Sequence, residues 1–179
     1  MAAHIDRALD LRSAVTPDPA RALDLGSGGG VPGLPLALAW PASGWTLLDG
    51  SVTRTAFLRG AVQALDLQAR VTVLTERAES AGRGDLRATV DLVVARSFAG
   101  PAVTAECAAP FLRPGGRLVV AEPPGGRPQR WDGRAVALLG MALGPRRTSP
   151  TAYQVLLQVE PCPDRFPRRV GVPAKRPLF

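Results

Sequence analysis

The chain has 179 residues, 46% of them hydrophobic and 21% charged, which is typical of a folded globular domain and excludes a disordered segment. The formal net charge of +7 comes from 22 basic residues, all arginine except Lys175, and favours polyanionic partners such as nucleic acid. The chain has one histidine and two cysteines, which are too few for a histidine-rich metal site or a disulfide framework. We find no long apolar run or signal-peptide pattern, and therefore expect a cytoplasmic protein without a membrane span.

Short apolar runs alternate with helical patterns along the chain. Strands are predicted at 20–25, 45–49, 70–75, 89–95, 117–121 and 153–159, and helices at 31–40, 53–65, 101–111 and 135–143. This alternation predicts an α/β domain over residues 1–160, with a mainly parallel sheet and helices on both faces. Residues 161–179, which are rich in proline and arginine, are predicted to form a basic tail outside that domain.

A glycine-rich loop follows the first predicted strand, and its glycines are Gly26, Gly28 and Gly30. Glycines let a ligand approach the backbone closely. Counted from Gly26, a dinucleotide fingerprint needs a third glycine at position 31, where this chain has Val31, and Asp24 would repel the pyrophosphate of NAD. S-adenosylmethionine (AdoMet) is cationic at sulfur and nitrogen and has no phosphate, so it suits Asp24. Asp49 ends the second strand, where a carboxylate can accept both ribose hydroxyls.

Five motifs in the same order resemble the RsmG (GidB) family. They are residues 24–36, the segment from Leu48 to Leu58, Arg77-Ala-Glu79, Ala95-Arg-Ser-Phe98 and residues 166–178. That family uses AdoMet to methylate N7 of a guanine in 16S ribosomal RNA. The resemblance implies a Rossmann-like class I AdoMet-dependent methyltransferase fold. It also implies that AdoMet is the cofactor and that ribosomal RNA or a ribosomal subunit is the partner, with no metal and a monomer favoured.

The resemblance also assigns site residues. Gly26 and Val31 would line the methionine and ribose side of the pocket, and Ala78 and Glu79 would flank the adenine. Arg96 would reach both the cofactor and the entering guanine. The full set of predicted cofactor-binding residues is Asp24, Gly26, Gly28, Gly30, Val31, Asp49, Ala78, Glu79 and Arg96. Arg54, Arg77 and Arg96 are the predicted substrate contacts.

No catalytic side chain is predicted. Guanine N7 has a free lone pair and loses no proton when it is methylated, so the reaction needs no general base. Holding N7 in line with the methyl carbon supplies most of the rate gain. Methylation at cytosine C5 would need a cysteine nucleophile, but Cys107 lies in a predicted helix and Cys162 in the predicted tail, so both are interpreted as structural.

The chain also departs from the family pattern. Only 23 residues precede Asp24, which indicates a short member with a reduced N-terminus. Thr53 stands where the family has a basic residue beside Arg54, and Glu122 replaces a lysine after the fifth strand. These losses of positive charge leave two alternatives open: a small-molecule AdoMet-dependent methyltransferase, and a non-catalytic module that binds AdoMet or RNA.

Two further features have a structural and a functional interpretation. The predicted tail carries Arg165, Arg168, Arg169, Lys175 and Arg176 against Asp164 alone. It is either a solvated tail or a clamp on RNA phosphates, which would add affinity without sequence choice. The three tryptophans are not interleaved with basic residues as a base-stacking platform requires, so they are predicted to pack in the core.

Overall fold

A computed structural model describes residues 2–123 and 128–179. The strands of this part of the chain are β1 (Arg21–Leu25), β2 (Gly44–Asp49), β3 (Val71–Thr75), β4 (Val90–Arg96), β5 (Leu112–Ala121), β6 (Met141–Arg147) and β7 (Tyr153–Gln158). They form one sheet in the order β3-β2-β1-β4-β5-β7-β6. The first five strands run parallel to one another, whereas β7 runs antiparallel to both β5 and β6. The predicted mainly parallel sheet is confirmed.

Helices cover both faces of this sheet. They are α1 (Ala2–Asp10), α2 (Gly33–Ala39), α3 (Val52–Ala64), α4 (Ala78–Ala81), α5 (Pro101–Ala108), α6 (Gly133–Ala137) and α7 (Val172–Lys175). Successive strand side chains point to opposite faces, and Val93 and Val94 of β4 accordingly belong to different apolar clusters. One cluster contains residues of α2 and α3, and the other contains residues of α4, α5 and α6. This confirms the prediction of helices on both faces.

The predicted helix at 135–143 is wrong in its second half. Helix α6 ends at Ala137, and the chain then reverses at Gly140, whose φ of +75° suits glycine. The carbonyl oxygen of Gly140 accepts a hydrogen bond from the amide of Val159 (2.9 Å), so β6 begins beside β7. The sequence did not predict this strand because it contains Pro145, a residue that is rare in strands. The structure tolerates the proline because β6 lies at the edge of the sheet.

Strand β5 and helix α1 also differ from prediction. Strand β5 begins at Leu112, five residues earlier than position 117, because its pairing with β4 shifts register through an irregularity. Helix α1 was not predicted, and Leu11 in the short 3₁₀ turn after it is buried in the cluster with α2 and α3.

The segment at 161–179, called the C-terminal strap below, packs against the domain. Phe166 is buried in the same apolar cluster as α5. The guanidinium of Arg87 donates to the carbonyl oxygens of Cys162 (2.7 Å) and Phe166 (2.9 Å). The domain boundary at residue 160 stays a prediction, but the segment beyond it is not a free tail.

The described ranges contain no helix that is both long and apolar enough to cross a membrane.

Candidate functional site

The glycine-rich loop lies at the carboxyl end of β1. The amide of Gly26 donates to the carbonyl oxygen of Leu48 (2.8 Å), which ties the loop to the end of β2. Gly26, Gly28 and Gly30 have φ of +70°, +53° and +84°, which L-residues with side chains rarely adopt. A Cβ on Gly26 would also lie 2.5 Å from the ring of Phe98. The loop therefore requires glycine for its own shape and for its close approach to the segment after β4.

Asp49 is held in place at the end of β2. Its Oδ2 accepts a hydrogen bond from the amide of Gly28, and its Oδ1 accepts one from the amide of Ser51, both at 2.9 Å. The guanidinium of Arg54 lies 3.6 Å from Oδ2. Each carboxylate oxygen has two lone pairs, so both keep capacity for a ligand hydroxyl. Asp49 is thus a rigidly held carboxylate with room for further hydrogen bonds.

Asp24 is buried beneath the loop, with 1% of its surface exposed. Its Oδ2 accepts a hydrogen bond from the amide of Gly33 (3.0 Å). A Cβ on Gly33 would lie only 2.5 Å from the same oxygen, so the close approach requires glycine. Ser27 donates to the backbone carbonyl of Asp24, and Oδ1 has no hydrogen-bond partner among the described residues. Burial raises the pKa of Asp24 to about 7, although the Gly33 hydrogen bond and the charge of Arg96 both act to lower this pKa. The Gly33 amide and the charge of Arg96 therefore offset only part of the cost of burying the charged form.

We predict that Asp24→Asn stabilises the protein at pH 8 and has little effect at pH 4. A carboxyl whose pKa is raised keeps its proton to higher pH in the folded chain, so the free energy of unfolding falls as pH rises from about 4 to about 7. Neutral asparagine removes this cost, which is up to about 4 kcal/mol above pH 7. Urea unfolding across this pH range measures the difference.

The matched control for that experiment is Asp91→Asn, at the opposite end of the sheet. Asp91 accepts hydrogen bonds from the amide of Arg21 (2.8 Å) and from the side chain of Arg113 (2.5 Å). We expect this variant to lose stability at pH 8, because its charged form has donors. A difference between Asp24→Asn and the unmodified protein that stays constant with pH would contradict the raised pKa.

A first cleft of about 510 Å³ opens beside the glycine loop at the carboxyl ends of the strands. Six of the predicted site residues line it: Gly26, Asp49, Arg54, Arg77, Ala78 and Glu79. The side chains of Arg54 and Arg77 are 64% and 61% exposed, which places them at the rim. Burial raises the pKa of Cys107, which also lines the cleft, to about 12, so its thiol stays protonated and is a poor nucleophile.

A second cleft of about 580 Å³ lies beside the first. The two clefts share Ser97, Phe98 and Ala99, the residues that follow β4. Arg96 lines the second cleft, together with Thr104 and Trp131. An arrangement of two adjoining clefts across one short loop can hold two ligands next to each other.

Glu122, at the end of β5, lies in the wall of the second cleft. Its side chain is 3% exposed, forms an ion pair with Arg130 and accepts a hydrogen bond from the indole nitrogen of Trp131 (3.0 Å). The negative charge that replaces the family's lysine is therefore matched by a cation from this chain. Trp40, Trp45 and Trp131 are all buried, as predicted, although Trp131 also contributes to the cleft.

Four predicted cofactor residues do not line either cleft. Asp24, Gly28 and Gly30 shape the loop from within or below, and Val31 is half-buried just before Pro32 of the second cleft. Sequence reasoning missed Ala174 of the C-terminal strap, which lines the first cleft. Within 2–123 and 128–179, no group of three or more histidine, cysteine, aspartate or glutamate side chains is placed to hold a metal ion.

Comparisons with known proteins give a consistent result. The sequence profile of the GidB family, described as rRNA small subunit methyltransferase G, matches residues 1–122. Ribosomal RNA small subunit methyltransferase G of Parasynechococcus marenigrum is 38% identical over 172 residues, covering 88% of this chain and 67% of that protein. The protein of the same name from Moorella thermoacetica is 39% identical over 171 residues, covering 90% and 71%.

Solved structures show the same fold at low sequence identity. A SAM-dependent O-methyltransferase from Thermotoga maritima superposes with a TM-score of 0.64 at 15% identity. The match covers 87% of this chain and 65% of that structure's chain, so this chain spans less than two thirds of it. The likeness shows the class I methyltransferase architecture.

Proposed function

This chain belongs to the rRNA small subunit methyltransferase G family, and we propose that it transfers a methyl group from AdoMet to N7 of a guanine in small-subunit ribosomal RNA. We also propose that it acts in the cytoplasm, where its ribosomal substrate is found. The observation that carries the proposal is the pair of clefts that meet at Ser97, Phe98 and Ala99. The first cleft takes AdoMet and the second takes the base.

The residues of the first cleft and its loop fit AdoMet chemically. Asp49 presents two fixed oxygens to the ribose hydroxyls, and the glycine loop leaves room for the ligand against the backbone. Asp24 lies below the loop, and its buried Oδ1 has no hydrogen-bond partner among the described residues. A cationic ligand nearby would favour the charged form of this carboxyl group. When bound, AdoMet supplies an electrophilic methyl group on a positively charged sulfur.

The second cleft has the side chains needed to bind and orient a guanine. Phe98 and Trp131 provide aromatic surface, and Arg96 provides a planar cation that can donate to guanine O6 while the N7 lone pair stays free to react. No residue is required to remove a proton, because N7 reacts through its lone pair. The chain's contribution is therefore to position the base and to exclude water around it.

The RNA substrate is favoured over a small molecule by the charge around the clefts. Arg54 and Arg77 are largely exposed at the rim of the first cleft, where they are available to phosphates. Glu122 does not reverse this, because Arg130 pairs with it. Open clefts are equally expected of a module that only binds AdoMet or RNA, so methyl transfer is the measurement that separates this alternative from an enzyme.

The proposal is tested by methylation of small-subunit ribosomes from cells that lack the gene. The purified protein with radiolabelled AdoMet should transfer label to 16S RNA, and borohydride–aniline cleavage should then map the label to N7 of one guanine. A labelled small-molecule product other than AdoMet, with no label in RNA, would support the small-molecule alternative. Binding of AdoMet without transfer to any RNA would support the non-catalytic module.

A further inference from the structure

We propose that the C-terminal strap is a wall of the AdoMet cleft, and that Arg168 is the positioning residue that seats it there. The inference rests on the proposed function in taking AdoMet as the ligand of the first cleft. The family profile matches residues 1–122, so the strap lies outside the matched range, although residues 166–178 form one of the five motifs that resemble the family.

The strap is attached to α5 through a buried ion pair. Glu106 is fully buried in a helix of otherwise small residues, and all its polar contacts in the described structure come from Arg168. The Arg168 backbone amide and Nε donate to Oε1 at 2.9 and 2.8 Å, and Nη2 donates to Oε2 at 2.5 Å. Two side-chain bonds and one backbone bond to the same carboxylate fix both the position and the direction of the chain at residue 168.

A second contact joins the strap to the cleft itself. The amide of Gly171 donates to Oε1 of Glu79 (2.9 Å), and the Arg77 guanidinium lies 3.5 Å from the same oxygen. Glu79 lines the first cleft, next to Ala78. Gly171 has a φ of +79°, which turns the chain so that Ala174 of α7 reaches the cleft as well. The strap therefore contributes one wall directly and orients the Glu79 side chain in another.

This arrangement makes a prediction that simple packing does not. If the strap only stabilised the domain, a change of side chain on its cleft-facing surface would leave ligand affinity unaltered. If it is a wall of the cleft, added bulk at that surface must compete with the ligand for space. Bound ligand must also reduce the opening of the strap backbone, because opening would expose the ligand.

Ala174→Phe tests the wall directly. Ala174 is exposed, so a larger side chain projects into the cleft without disturbing the core. We expect the dissociation constant for S-adenosylhomocysteine, the demethylated cofactor, to rise at least about tenfold by calorimetry, which corresponds to about 1.4 kcal/mol. Val170→Phe is the matched control, because Val170 is 53% exposed on the same strap and lines neither cleft. It should bind with unchanged affinity.

Hydrogen exchange of the unmodified protein provides a measurement that needs no variant. Amides at 169–176 should exchange several-fold more slowly when S-adenosylhomocysteine is bound. If Ala174→Phe binds S-adenosylhomocysteine with unchanged affinity, the strap is not a wall of the cleft. Unchanged exchange at 169–176 in a protein that binds the ligand would lead to the same conclusion. Either result would leave the proposed function intact. Failure of the unmodified protein to bind S-adenosylhomocysteine would overturn the proposed function and this inference together.

Discussion

Arg168→Met is expected to lower the free energy of unfolding by about 3–5 kcal/mol. The substitution leaves the Glu106 carboxylate buried in α5 without its cation and without its two side-chain hydrogen bonds. A buried charge that loses its partner keeps the full cost of desolvation. Guanidinium unfolding monitored by circular dichroism measures the loss.

Two further variants separate the ion pair from the general effect of losing an arginine. Arg169→Met removes the neighbouring exposed side chain and should change stability by less than about 0.5 kcal/mol. Replacing both members of the pair, as Glu106→Leu with Arg168→Met, should recover most of the loss, because an apolar pair has no charge to desolvate. A cost below about 1 kcal/mol for Arg168→Met alone would show that the pair contributes little to holding the strap.

Arg96→Lys is expected to lower methyl transfer to 16S RNA by about 100-fold, equivalent to about 2.7 kcal/mol of transition-state stabilisation. Lysine keeps the charge but loses the planar, fixed set of donors that can orient guanine through its O6. Because Arg96 lines the second cleft and not the first, binding of S-adenosylhomocysteine should change by less than about threefold. Steady-state kinetics on small subunits, with calorimetry on the same samples, measures both.

The control for this variant is Arg113→Lys. Arg113 pairs with Asp91 at the amino end of β4, whereas Arg96 lies at its carboxyl end. It should retain normal turnover and a melting temperature close to that of the unmodified protein. Normal turnover of Arg96→Lys would exclude the guanine-positioning role, and a large drop in its S-adenosylhomocysteine affinity would assign the residue to the cofactor instead.

The amino-acid sequence by itself determined the first four strands, the glycine loop and the position of Asp49. Each depends on local information, since a buried parallel strand reads as a short apolar run and a left-handed backbone demands glycine. Because parallel strands end at one edge of the sheet, those residues had to converge there. Six of the predicted residues therefore line one cleft, although their individual roles stay predictions.

Only the tertiary structure showed how the last forty residues fold and which of them line the first cleft. Strand β6 contains Gly144 and Pro145 and is a strand because β7 supplies its hydrogen-bond partners. The cations at 161–179 suggested either a solvated tail or a clamp on RNA phosphates, yet Arg168 pairs with Glu106, 62 residues away, and Gly171 with Glu79, 92 residues away. A lone glutamate in the apolar helix α5 hinted at a buried partner, but no local pattern identifies which arginine fills that place. Such contacts depend on where the folded sheet brings distant segments together, and that is a property of the whole chain.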